Sequence, residues 1–104
     1  MKAIDVRPED LEKVLTILDR QLPGREIRAF GSRVAGKAKA FSDLDLAVMG
    51  EVPLAASVLA DVQGAFRESD LPFKVDVVDW AATKDTFRRI IEQEFVVVRE
   101  VVSA

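Results

Sequence analysis

Residues 31–45 read GSRVAGKAKAFSDLD, a turn of small residues followed by two aspartates spaced two apart. The four residues before the turn, IRAF at 27–30, predict a short strand that ends at the glycine. A strand that turns tightly through Gly31 and Ser32 into a brief helix points free backbone N–H groups at a phosphate. We therefore expect a phosphate-binding turn here, a brief helix from Ser32 to about Val34 or Ala35 and a loop over 36–40.

Asp43 and Asp45 open the next predicted strand, where they alternate with Leu44, Leu46 and Val48. Side chains at i and i+2 of a strand point to the same face, so both carboxylates can bind one divalent cation or a close pair. The opposite face of the strand is apolar. Together, the turn and the paired acids have the layout of a metal-dependent phosphoryl-transfer site.

A third acid, Asp76, lies in the otherwise apolar segment KVDVVDW. A lone acid in such a strand is costly unless it has a partner or a cation. A metal shared with Asp43 and Asp45 provides that partner, and the alternative is a hydrated acid at the edge of a sheet. Asp79 lies three residues on, hence on the opposite face, and is expected to start the turn before Trp80.

The composition limits the possible chemistry. The chain has 104 residues, which predicts one domain over 1–104, and its net charge of −3 argues against DNA or RNA as the main ligand. Without cysteine or histidine, thiolate and imidazole zinc sites and histidine-based catalysis are excluded. Residues 1–7 lack an apolar signal core and no run is long enough for a membrane span, so a cytoplasmic location is expected.

Hydrophobic periodicity predicts the remaining elements. They are a helix over 8–22 that stops at Pro23-Gly24, a long helix from Pro53 to a break near 69–72, a strand over 73–78 and a last helix capped by Thr83. The β-branched run FVVV at 95–98 leaves the end of that last helix open. With Val101 and Val102, the run is compatible with a partner surface or with cover for the domain's own sheet, which we favour.

The segment GSRxxG at 31–36, SDLDL at 42–46 and the later Asp76 resemble the signature of the DNA polymerase β-like nucleotidyltransferase superfamily. The resemblance spans roughly residues 25–80 and is greatest to the minimal nucleotidyltransferase branch. It implies an α/β (α+β) fold with a small mixed β-sheet and helices packed on one side. It also implies transfer of a nucleoside monophosphate, expected to be AMP from ATP, to a hydroxyl.

The resemblance also assigns roles to the residues of the motif. Gly31 and Ser32 would hold the β- and γ-phosphates. Asp43 and Asp45 would bind two Mg²⁺ ions, one with the triphosphate and one that lowers the pKa of the attacking hydroxyl. Asp76 would complete the second metal site and can also accept the proton.

The sequence also suggests roles for five further residues near the motif, and for three of them two interpretations are open. Arg33 either contacts the triphosphate or forms a salt bridge on the short helix. Lys37 and Lys39 either attract the triphosphate or are simply solvated, which we favour. Ser42 is expected to cap the turn before Asp43, and Trp80 is expected to belong to the core.

Partners follow only from the resemblance. Minimal nucleotidyltransferases are typically encoded beside a helical protein of the HEPN family, a ribonuclease toxin that the nucleotidyltransferase silences by adenylylating a tyrosine. We expect the same here, with a homo- or hetero-oligomer possible. The alternatives are a non-catalytic subunit that neutralises a HEPN partner by contact, and, less favoured, transfer to a small molecule such as an aminoglycoside, because such enzymes usually have an added helical domain.

Overall fold

The structure, a computed structural model, describes residues 4–100. In chain order the elements are α1 (Pro8–Gln21), β1 (Ile27–Phe30), α2 (Ser32–Ala35), β2 (Leu44–Val48), α3 (Ala56–Arg67), β3 (Val75–Asp79), a 3₁₀ turn (Trp80–Ala82), α4 (Asp85–Gln93) and β4 (Val96–Arg99). The predicted strand at 27–30 is confirmed to the residue, and the brief helix predicted from Ser32 to about Val34 or Ala35 ends at Ala35. They bracket the turn that the sequence marks as functional.

Helix α1 illustrates how the sequence sets the helices. Pro8 lies at its start, two acids follow in the first turn, and Arg20 lies in the last turn, which complements the helix dipole. Val14 and Leu18, four residues apart, are fully buried on one face. The predicted helix over 8–22 is confirmed, with Leu22 as its C-cap. No helix within residues 4–100 is both long and apolar enough to cross a membrane.

The four strands form one sheet in the order β3-β2-β1-β4. Strand β1 pairs antiparallel with β2 and with β4, whereas β2 and β3 are parallel. The predicted fold class, a small mixed sheet with packed helices, is confirmed. Because β2 and β3 run in the same direction, their first residues meet at one end of the sheet.

The two faces of the sheet bury different groups. On one face, α1 and α3 pack against strand residues that include Ile27, Leu44 and Leu46, all fully buried. Each such side chain contributes roughly 1.5–3 kcal/mol by leaving water. On the other face, Ile91 of α4 packs against Phe30 and Ala47. The predicted one-sided layer therefore describes α1 and α3, and α4 covers part of the opposite face.

Several predicted boundaries differ from the structure. Strand β2 begins at Leu44 rather than at Asp43, so the first acid lies just before the strand. Helix α3 begins at Ala56 rather than at residue 53, and β3 runs over Val75–Asp79 rather than 73–78. The prediction that Thr83 caps the last helix is wrong, because Lys84 holds the N-cap position and the Thr83 hydroxyl donates to the Asp79 carbonyl at 2.6 Å. Thr83 thus closes the 3₁₀ turn instead of opening α4.

The β-branched run after α4 is a strand. Helix α4 ends at Gln93, and β4 then pairs with β1. Val96 and Val98 pack against the main core, so the favoured interpretation of the run as cover for its own sheet is confirmed. Val101 and Val102, which belonged to the same prediction, lie outside the described residues.

Candidate active site

Gly31 joins β1 to α2 in a conformation that favours glycine. Its φ of 82° and ψ of −157° lie in a region that residues with a Cβ rarely adopt. A Cβ at this position would also stand 2.3 Å from Oδ2 of Asp45. The turn therefore lies directly against the Asp45 carboxylate, and both backbone angle and space require glycine.

The start of α2 presents backbone donors. The N–H groups of Val34 and Ala35 both donate to the Gly31 carbonyl at 3.0 Å. Within residues 4–100, the amides of Ser32 and Arg33 are paired with no backbone acceptor. The first amides of a helix have no intrahelical partner and commonly bind an anion. The predicted phosphate turn thus has its donors beside an acid.

Asp45 and Asp76 are neighbours across the sheet. Each is the second residue of its strand, and the parallel pairing of β2 with β3 places them in direct register. Adjacent strands are about 4.8 Å apart, so the two side chains leave the same face side by side. Asp43 lies one residue before β2 and is exposed. The structure therefore brings all three predicted acids to one end of the sheet.

The electrostatics reflect this proximity. Burial and, to a smaller extent, the negative charges of Asp76 and then Asp43 together raise the pKa of Asp45 from 3.8 to about 6. Carboxylates that share a site disfavour each other's ionisation, whereas a cation favours it. A bound cation would thus favour the charged form of Asp45.

The donor set fits Mg²⁺ in its chemistry. Mg²⁺ binds carboxylate oxygens, and the chain has neither the thiolate nor the imidazole ligands that other divalent metals favour. In the observed side-chain conformations, no three acidic side chains within residues 4–100 form a cluster tight enough to hold a metal ion. Joint binding therefore requires a carboxylate to rotate. The exposed Asp43 is free to do so, whereas Asp76 forms an ion pair with Lys74 at 3.6 Å.

Asp79 is a structural acid, as the sequence indicates. Its carboxylate accepts hydrogen bonds from the amides of Leu54 at 2.8 Å and Ala81 at 3.2 Å. It is only 8% exposed and caps the 3₁₀ turn that begins at Trp80. The prediction that Asp79 starts this turn is confirmed.

Arg33 does not point toward the phosphate turn. It is 6% exposed, and its guanidinium donates to the carbonyls of Ser42 and Asp5, both at 2.8 Å, and of Ala40 at 3.1 Å. Among residues 4–100, Arg33 forms no salt bridge on the short helix either. We therefore correct both interpretations of this residue, because the side chain is committed to main-chain carbonyls inside the protein.

The structure agrees with the favoured interpretations of Ser42, Lys37, Lys39 and Trp80. Ser42 accepts a hydrogen bond from the Lys39 amide at 2.8 Å through its hydroxyl, which organises the turn before the first acid. Lys37 and Lys39 are exposed. Trp80 packs against the smaller core cluster and lies under the Arg88 guanidinium at 5.0 Å.

A cavity of about 760 Å³ opens beside the acids. Asp45 and Asp76 line it together with Phe30 and Phe87, whose rings meet edge to face at 5.8 Å. Sequence reasoning did not select Phe87 for the site. The signal that was available is its spacing of four from the buried Ile91 on α4, which places both on one side of that helix.

Comparison with known proteins agrees with this arrangement. The chain matches the nucleotidyltransferase domain family over residues 11–101. It therefore belongs to that family. It is also 48% identical, over 97 residues, to a protein of Haemophilus influenzae named probable protein adenylyltransferase MntA, covering 93% of this chain and 85% of that protein.

Solved structures share the fold. A chain of a toxin–antitoxin structure with AMP-PNP superposes with a TM-score of 0.73 at 22% identity, over 88% of this chain and 73% of the other. A second match comes from a tri-AMPylated Shewanella oneidensis HEPN toxin in complex with MNT antitoxin, with a TM-score of 0.67 at 20% identity over 89% and 71% of the two chains. At these identities the likeness establishes the fold alone.

Proposed function

We propose that this protein is a Mg²⁺-dependent adenylyltransferase that transfers AMP from ATP to a hydroxyl, expected to be a tyrosine, on a HEPN-family partner, in the cytoplasm. The observation that carries the proposal is the placement of Asp45 in register with Asp76 and against Gly31. The similarity to MntA supports an adenylyl donor and a protein acceptor. The toxin–antitoxin structures support a HEPN partner.

The residues of the site divide the work. The free amides at the start of α2 would bind the β- and γ-phosphates, and Gly31 lets them approach Asp45. Asp43, Asp45 and Asp76 would hold the Mg²⁺ ions. When bound, Mg²⁺ neutralises charge on the triphosphate and lowers the pKa of the attacking hydroxyl. Asp76, at the cavity, can accept the proton of that hydroxyl.

Charge and position account for the rest of the proposed catalysis. Displacement at the α-phosphorus places the attacking and leaving oxygens roughly in line. With pyrophosphate held at Gly31, the acceptor would approach from the side of Asp76, where the cavity lies. Its aromatic wall, formed by Phe30 and Phe87, is suited to an aromatic acceptor side chain.

The test is transfer of label from α-labelled ATP with Mg²⁺, with and without the HEPN-family protein encoded beside this chain. We expect label on the partner with the wild type and none with Asp43→Asn. Asp70→Asn is the matched control, because Asp70 is exposed, forms an ion pair with Lys13 and is not among the residues that line the cavity. Loss of label in both variants would point to a general effect and contradict the assignment.

A second candidate function is a regulator that neutralises its partner by contact alone. It is favoured by the absence, within residues 4–100, of three acids already clustered tightly enough for a metal. Under that function no nucleotide labels the partner. Asp43→Asn would then form the complex and neutralise the partner as well as the wild type does.

A further inference from the structure

Arg33 is a buried cation without a carboxylate partner among the described residues. Its Nε donates to the Ser42 carbonyl, and its two terminal nitrogens donate to the carbonyls of Asp5 and Ala40, with a longer contact of 3.5 Å to that of Lys39. The Asp5 amide in turn donates to the Arg33 carbonyl at 2.7 Å. One side chain thus joins the segment before α1 to the loop that precedes β2.

The environment of Arg33 leaves little room for another arrangement. Its guanidinium stacks over the Phe73 ring at 4.3 Å, on the side of the main core. A buried charge is tolerated only when its donors are satisfied. Here carbonyls from distant segments satisfy them together, so those carbonyls must keep their positions for as long as Arg33 stays buried.

The loop held by Arg33 carries an acid of the site. No helix or strand is present between Ala35 and Leu44. The loop's own hydrogen bonds are local, as in the Ser42 amide to the Lys39 carbonyl at 3.1 Å. Asp43 directly follows Ser42, whose carbonyl accepts from Arg33, and Gly31 lies two residues before Arg33. The guanidinium therefore sets the distance between the turn and the first acid.

We propose that Arg33 is a positioning residue that holds Asp43 at a fixed place relative to the Gly31 turn. This rests on the proposed function, in which Asp43 is a metal ligand. Arginine suits the task because its planar fork reaches several carbonyls at once, whereas lysine offers a single ammonium. Arg33→Lys would keep the charge and lose the simultaneous contacts.

The experiment compares Arg33→Lys and Arg33→Met with Arg99→Met. Arg99 is the matched control, because its guanidinium also donates to main-chain carbonyls, those of Leu22 and Arg25, at the other end of β1. The readouts are amide hydrogen exchange over residues 37–43, Mg²⁺ binding by calorimetry, and kcat and KM for ATP in AMP transfer to the partner.

We expect the Arg33 variants to exchange the loop amides at least about tenfold faster and to bind Mg²⁺ more weakly. Their kcat should fall by up to about 10²-fold, the loss seen when a catalytic group is displaced by about 1 Å, with a smaller change in KM. Arg99→Met should lower the melting temperature while leaving loop exchange, Mg²⁺ binding and kcat at wild-type values.

The inference is overturned if Arg33→Lys keeps wild-type loop exchange and Mg²⁺ binding, or if Arg99→Met changes both equally. If Arg33→Met does not fold, the lysine variant decides the question. If the wild type itself transfers no label, the proposed function fails, and loop exchange together with Mg²⁺ binding still decides whether Arg33 positions Asp43.

Discussion

The two ends of the parallel pair formed by β2 and β3 each carry an acid in β3, and they differ in what satisfies it. At the far end, Asp79 faces Val48 in register and accepts two main-chain hydrogen bonds. At the near end, Asp76 faces Asp45 in register and has only the exposed Lys74 beside it at 3.6 Å among the described residues, and Asp45 accepts no hydrogen bond within residues 4–100. The same residue type is thus structural at one end and available for a ligand at the other.

The contrast between Asp79 and Asp45 shows how a structural acid differs from a candidate functional one. Asp79 is more buried than Asp45, yet its charge is stabilised by backbone amides. Asp45 has a raised pKa because burial and two neighbouring acids oppose its ionisation. An arrangement that disfavours its own charge gains from a cation, so we expect the near end to lower stability without metal and to be stabilised when a cation binds.

The largest expected effect is on transfer in Asp45→Asn. Removing this charge takes away the central carboxylate of the cluster, and loss of one electrostatic group in an active site costs about 10²–10³-fold in rate. We expect transfer of labelled AMP to fall by at least that factor while the circular dichroism spectrum stays unchanged. A variant that retains more than a tenth of wild-type transfer would remove Asp45 from the proposed mechanism.

Gly31→Ala should disturb the same end of the sheet by a steric clash. The added Cβ would meet Asp45 Oδ2 at 2.3 Å, so the carboxylate must move, and a displacement of about 1 Å can cost up to 10²-fold in rate. Gly36→Ala is the matched control, because Gly36 has a similar φ of 75° and a Cβ there meets nothing within 4 Å. Gly36, in the left-handed helical region, should lose about 1–2 kcal/mol on substitution, and Gly31, with its ψ of −157°, about 1–3 kcal/mol.

Only Gly31→Ala should lose transfer beyond what this destabilisation explains, measured as the initial rate of labelling at a temperature where both variants are folded. Equal rates in the two variants would mean that the contact between Gly31 and Asp45 does not matter for the reaction.

At the far end, Asp79→Asn should lower the stability of the fold and leave AMP transfer nearly unchanged. Its carboxylate holds the Leu54 amide before α3 and the Ala81 amide in the 3₁₀ turn, and a buried hydrogen bond left unmade costs about 1–3 kcal/mol. We expect the free energy of unfolding in urea to fall by that amount. Transfer should remain within about twofold of wild type. A strong loss of transfer in the folded variant would mean that Asp79 belongs to the site and that the two ends do not differ in function.

Much of the near end could be predicted from the sequence because its signals are local. Gly31 and Ser32 lie directly after a short strand, and the spacing of Asp43 and Asp45 marks one face of the next. The apolar neighbours of Asp76 signal a strand that needs a partner for its acid. What the sequence lacks is the register that places Asp76 beside Asp45, which only the folded sheet provides.

The features that escaped prediction depend on contacts between distant segments. A surface position is the usual expectation for arginine, yet Arg33 turns inward because the carbonyls of Asp5 and Ser42 converge on it. Strand β4 pairs with β1, which lies far from it in the sequence. The β-branched run after α4 could therefore not be assigned to a helix or a strand from its neighbours alone. Thr83 has the right residue type for a helix cap, but its hydroxyl donates a hydrogen bond to the Asp79 carbonyl instead.

The smallest expected effect is the dependence of stability on pH that the raised pKa of Asp45 produces. Its pKa is about 6 in the folded protein and 3.8 in the reference state, so between these values the folded state binds more protons than the unfolded state. The free energy of unfolding therefore falls as pH rises from about 4 to about 6. Because Asp45 is partly exposed, solvent screening limits the difference to the order of 1 kcal/mol.

Asp45→Asn removes this titration, so without metal it should gain stability relative to wild type across that range and keep the gain above about pH 6. Melting temperatures at pH 4, 5, 6 and 7 would measure it. Mg²⁺ at pH 7 should raise the melting temperature of the wild type and have less effect on the variant, because the cation offsets the repulsion that the asparagine already lacks. A gain that is the same at pH 4 and pH 7 would show that Asp45 is not held in conflict with its neighbours, and the contrast with Asp79 would then rest on position alone.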